Sequence, residues 1–120
     1  MRNEQRSGCP IATTLDIVGD RWTLVILRDL LTGKSRYSEF LESPEKITTN
    51  ILADRLEKME AAGLITKSPY QERPVRNAYA LTQMGRDLHP MLREMCRWAN
   101  RYIPDTWTPP EWFMKEGKEG

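Results

Sequence analysis

Between Arg21 and Gly33 the chain reads RWTLVILRDLLTG, and a helix written this way has no place but the middle of a protein. Trp22, Leu24, Val25, Ile26, Leu27, Leu30 and Leu31 spread apolar surface almost all round its axis, so neighbours must cover it on several sides. Asp20 supplies an N-cap and Gly33 a stop. With 120 residues the chain has room for one domain and one modest core. The covering elements therefore come from the segments immediately before and after.

Those segments carry their own periodicities. Residues 1–8 are polar and read as a disordered N-terminal arm. From Pro10, Ile11, Leu15 and Val18 recur at helical spacing up to Gly19. A short helix is expected from about Tyr37 to Leu41, before the break at Ser43–Lys46. Thr48 then N-caps a helix with Leu52, Leu56 and Met59 on one face and Gly63 at its end. A β-hairpin follows, with strands near Ile65–Tyr70 and Asn77–Leu81 and a loop over Gln71–Arg76. Thr82 caps a final helix whose apolar stripe runs Met84, Leu88, Met91, Leu92, Met95, Ala99, Tyr102. Pro90 inside that stripe predicts a kink or a break. Residues 104–120 read as an extended tail containing Pro and Trp. Compact helices followed directly by a hairpin give a mainly α fold with a small β-hairpin, a winged helix-turn-helix domain over residues 9–103.

Composition narrows the function. The formal net charge is +1, but residues 103–120 carry −2, which leaves +3 on the remaining residues. That is mild support for a polyanion partner. The start lacks the apolar segment of a secretory signal, and no run approaches a membrane span, so a cytoplasmic protein without membrane contact is expected. One histidine and two distant cysteines do not make a zinc site, and no metal or cofactor is expected. There is no nucleophile–base pairing and no Gly-rich phosphate loop, so the chain does not read as an enzyme.

The hairpin and the helix before it suggest what binds. The first turn, Thr48, Thr49 and Asn50, is polar, and a helix N-terminus offers free N–H groups and a positive dipole end to phosphate. Asn also pairs with adenine in a major groove. Arg73 and Arg76 straddle Pro74 in the hairpin loop, where they can reach a minor groove or flanking phosphates. The plainer alternative is that they only solvate a turn. Asp54 and Glu57 favour a second reading, a winged-helix protein-interaction module.

Cys9-Pro10, Gly19, Trp22, Arg36, Phe40, Leu52, Leu56, Gly63, Leu64, Pro74, Tyr79-x-Leu81-Thr82, Gly85, Pro90 and Trp98 occur in one order over residues 9–100. In this pattern the chain resembles the HxlR family of bacterial winged-helix regulators. The resemblance implies homodimers on pseudo-palindromic double-stranded DNA operators, with the first and last helices forming the dimer interface. Candidate DNA contacts are Arg36, Thr48, Thr49, Asn50, Ala53, Arg55, Arg73 and Arg76. Candidate interface residues are Ile11, Leu15, Leu88, Met91, Leu92, Met95, Trp98 and Tyr102. The apolar stripe of the last helix also asks for a partner by itself, unless it packs on the chain's own second helix. Since no activation surface is evident, a repressor is expected.

Two inputs to such a regulator stand open. The resemblance makes Cys9, just before the first helix, a candidate sensor of oxidants or electrophiles; a helix dipole with Arg2 or Arg6 would acidify its thiol. The alternative is an inert Cys9 and control by a small-molecule inducer. Cys96 reads as a core residue and His89 as a helix-surface or interface residue. Trp107, Trp112 and Phe113 either extend as an arm over a partner subunit or cover a small-molecule pocket.

Overall fold

The computed structural model describes residues 6–115. Its elements are α1 (Pro10–Val18), α2 (Thr23–Leu31), α3 (Tyr37–Phe40), α4 (Thr49–Ala61), β1 (Ile65–Glu72), β2 (Val75–Leu81), α5 (Gln83–Arg86), α6 (His89–Tyr102) and α7 (Glu111–Met114). Helix α2 begins at Thr23 because the Asp20 carboxylate accepts the N–H groups of Trp22 and Thr23, at 2.7 and 2.8 Å, and the Thr23 hydroxyl. Ile26, Leu27 and Leu30 of this helix meet Phe40, the Leu52/Leu56/Met59 face of α4, Leu64, Ile65 and Leu92 in one buried cluster. The centre of the protein is where the apolar run requires it to be. Burying these side chains is the main force holding the helices together.

Helix α4 carries its cap as expected: the Thr48 hydroxyl accepts the Ile51 N–H. Its end turns at Gly63, whose φ of 88° suits glycine, and Leu64 enters the core directly afterwards. Gly85 is needed for a different reason. A Cβ there would lie 2.3 Å from the Leu64 carbonyl oxygen, so only glycine lets α5 pack against the start of β1.

The hairpin differs from the sequence expectation. Strand β1 continues to Glu72 and β2 starts at Val75, leaving only Arg73 and Pro74, joined by a cis peptide, at the tip. Arg76 is therefore a strand residue opposite Gln71, not a loop residue. Pairing is regular from Ile65↔Leu81 to Pro69↔Asn77, skips Tyr70, and resumes at Gln71↔Arg76. The skipped residue is a bulge beside a proline that has no N–H to give the ladder. A short third segment pairs with β2 through Arg36↔Ala78, and the Tyr79 N–H donates to the Ser35 carbonyl.

Pro90 does break the last helical stretch, and it sits in the first turn of α6. Three expectations for this region fail. Leu92 is not at an outer interface; it is buried in the core of its own chain, with Leu88 and Met91 packed beside it. His89 is not on the surface but buried, its Nε2 3.0 Å from the Phe113 carbonyl oxygen and its ring 4.4 Å from that phenyl ring. The segment after Ile103 is not an extended arm. It turns at Asp105, is held by Asn100 Nδ2, which donates to Thr106 Oγ1 and the Trp107 carbonyl, and ends in α7 with Phe113 in the core. At the other end, the expected arm lies outside the described residues over 1–5. Arg6 donates to Asp16 and to the Ala12 carbonyl.

Candidate nucleic-acid interface

Helix α4 turns its buried stripe to the core and leaves Thr48, Thr49, Asn50 and Ala53 exposed on the opposite, N-terminal side. This front is held in place from beneath. The Tyr37 hydroxyl donates to the Thr49 carbonyl at 2.7 Å, tying α3 to the first turn of α4. The Glu39 carboxylate accepts the N–H groups of Ser35 and Arg36, at 2.8 and 2.9 Å, and these bonds keep its carboxyl below the usual range. The short turn before α4 is thus fixed at both ends.

The wing is fixed to the same turn. The guanidinium of Arg36 lies 4.0 Å from the centre of the Tyr70 ring, a cation–π contact across the sheet. Arg73 at the tip and Arg76 in β2 are both exposed. Arg36 is exposed too, and the segment that carries it meets both the wing, at Tyr70, and, through its neighbour Tyr37, the first turn of α4, at Thr49.

A sequence profile of HxlR-like helix-turn-helix proteins matches residues 17–106. The chain belongs to the HxlR-like helix-turn-helix family. Two relatives are HTH-type transcriptional regulators of Bacillus subtilis strain 168 that are themselves uncharacterised. YdeP is 39% identical over 79% of this chain and 74% of its own length, and YybR is 32% identical over 85% and 83%. Among solved structures, the redox regulator HypR in its reduced form superposes with a TM-score of 0.72 at 31% identity, covering 82% of this chain and all of HypR. The reduced form of the transcriptional regulator YodB from B. subtilis superposes at 0.67 with 28% identity, over 84% of this chain and all of YodB.

One candidate contact of this HxlR-like protein is already engaged. Arg55 donates to Asp20 at 3.2 Å and to Asp54, and its side chain is only 23% exposed. Burial opposes its charge, but the hydrogen bonds to Asp20 and Asp54 hold it more firmly protonated than usual. Arg55 therefore links α4 to the start of α2. Asp54 is in turn covered by Lys58, 3.3 Å away, and by Arg55; hydrogen bonding to Lys58 is the main cause of its lowered pKa. For Asp20 itself, burial opposes ionisation, yet the bonds from Thr23, the Trp22 and Thr23 N–H groups and Arg55 prevail and bring its carboxyl to about 2.

The remaining candidates separate into two faces. Ile11 and Leu15 of α1 are exposed, and so are Met95, Trp98 and Tyr102 of α6. The Trp98 and Tyr102 rings lie 5.7 Å apart on the outer side of α6. Leu88, Met91 and Leu92 belong to the inner side, so the single stripe expected from sequence is two adjoining stripes. Cys9 is exposed at the N-cap of α1, and Cys96 is half-buried with its thiol pKa pushed up by burial. Both thiols are free.

Sequence reasoning missed a buried polar cluster behind the interface. Asp29, 4% exposed, accepts hydrogen bonds from Arg28 at 2.8 Å and from the Ser43 hydroxyl, while Arg28 also forks onto Glu45 at 2.7 and 2.9 Å. Hydrogen bonding to Glu45 holds Arg28 still more firmly charged, and it lowers the Glu45 carboxyl in return. An acid inside the apolar run LRDLL was the available signal.

Proposed function

We propose that this HxlR-like protein is a homodimeric, sequence-specific DNA-binding transcriptional regulator that represses by occupying a pseudo-palindromic operator. The front of α4 enters the major groove through Thr48, Thr49, Asn50 and Ala53, and the wing lays Arg73 and Arg76 on the adjacent minor groove or backbone. The observation that carries this reading is the joint exposure of that front and the wing arginines on elements locked together by Arg36–Tyr70 and Tyr37–Thr49. The named regulators among its relatives support it. The protein-interaction alternative is weakened, because one of its two acids, Asp54, is paired within the chain by Arg55 and Lys58, while Glu57 stays exposed.

Two copies joined through the exposed apolar faces of α1 and α6 would set two α4 helices about one DNA turn, roughly 34 Å, apart. Cys9, exposed at the start of α1 and thus beside that interface, is the proposed point at which oxidants or electrophiles act, as fits the likeness to redox regulators. The test is selection of bound fragments from genomic DNA. Enriched inverted repeats with half-sites one helical turn apart are the expected result. Recovery of fragments at random contradicts the reading.

A further inference from the structure

Between α2, α6 and the returning tail lies a solvent-open cavity of about 610 Å3. Sites for small organic molecules measure roughly 300–1,000 Å3. Leu24 and Val25 form its α2 wall, Cys96 and Ala99 its α6 wall, and Trp107 and Phe113 border it from the tail. The chemistry of the lining selects the occupant. Arg28 is already forked between Glu45 and Asp29, Lys34 donates to Ser43 at 3.0 Å, and the Asn100 amide is spent on Thr106 and the Trp107 carbonyl. A charged ligand would have to break one of these pairs and leave its partner unmatched. A neutral aromatic molecule needs only the apolar walls and the faces of the tail's rings and prolines. The space is too small for a folded partner, and the chain's own tail already lies across it.

We propose that this cavity binds a neutral aromatic small molecule and that its occupancy changes affinity for DNA; the second half rests on the function proposed above. The coupling runs through residues that touch the cavity. Arg28 and Asp29 line it and hold Glu45 and Ser43, in the Ser43–Lys46 segment that leads to Ile47 and the Thr48 cap of α4. A ligand acts on DNA binding by preferring one placement of that anchor over another.

The test uses N-phenyl-1-naphthylamine, a neutral fluorophore that brightens in apolar surroundings, with full-length Cys9→Ser protein and no DNA. Saturable binding at a single site is expected, with alkylation of Cys96 by N-ethylmaleimide slowed about tenfold at saturation. Ala99→Trp, which fills the cavity, should weaken probe binding about tenfold or more, its fold checked by circular dichroism and melting. Thr32→Trp at the rim serves the same purpose should Ala99→Trp fail to fold. Gln83→Ala, exposed on α5 and away from the cavity lining, should bind the probe as the parent does. Absence of saturable binding, survival of binding in the filled variants, or its loss in Gln83→Ala overturns the site. If the parent excludes the probe and a filled variant scatters light as a monomer, the cavity belongs to a second copy and the proposal falls. Saturating probe should then shift duplex affinity about fivefold. Unchanged affinity overturns the coupling and leaves DNA binding standing. A protein that binds no duplex overturns the regulatory reading, while the probe measurements still decide the site.

Discussion

One carboxylate, Asp20, organises two elements: it starts α2 through Trp22 and Thr23 and anchors α4 through Arg55. Its carboxyl sits near 2 in the fold against an ordinary value of 3.8. A depressed carboxyl contributes stability that is complete above the ordinary value and is lost as pH falls through the folded one. Because the site is partly solvated, the contribution is roughly 1 kcal/mol rather than the full linkage value. Asp20→Asn should therefore lose about that much stability at pH 7 and show a shallower decline between pH 4 and 2 in urea titrations. An acid decline identical to the parent's contradicts the assignment. Cys9 gives a second prediction at this scale. Diamide should release the parent from DNA and leave Cys9→Ser bound; equal release in both places the thiol response elsewhere.

At the scale of elements, α2 and α4 were readable because each carries a complete local signal of period, cap and stop. The hairpin tip was misjudged by several residues because pairing resumes beyond the Tyr70 bulge, and nothing in Gln71–Arg76 announces that the ladder continues. The Arg36–Ala78 bridge and the Arg36–Tyr70 contact join residues far apart in sequence, so no local window contains them. The exposed candidates on α4 were read from its cap and polar first turn, whereas the pairing of Arg55 with Asp20 is tertiary and has no local signal. The tail failed for the same reason: prolines suggest extension, and only the fold shows that Phe113 reaches His89. Removing that plug tests the tail's place in the core. Phe113→Ala should cost about 3 kcal/mol in urea unfolding, while a solvent-like change below about 0.5 kcal/mol would detach the tail from the core.

For the whole molecule, the exposed faces of α1 and α6 are the proposed seam between two copies. No helix of the described residues is long and apolar enough to cross a membrane. Trp98→Glu should shift the protein from dimer to monomer in light scattering at micromolar concentration and weaken operator binding together with it. A dimer of unchanged mass would move the seam away from α6. The wing and the α4 front bear on the central claim most directly, and salt dependence on a duplex measures their engagement. The parent's affinity should fall steeply with added salt, and Arg73→Ala and Arg76→Ala should each flatten the log–log slope by about 0.9. Salt-insensitive binding by the parent, or parental slopes in both variants, would contradict the placement of helix and wing on DNA.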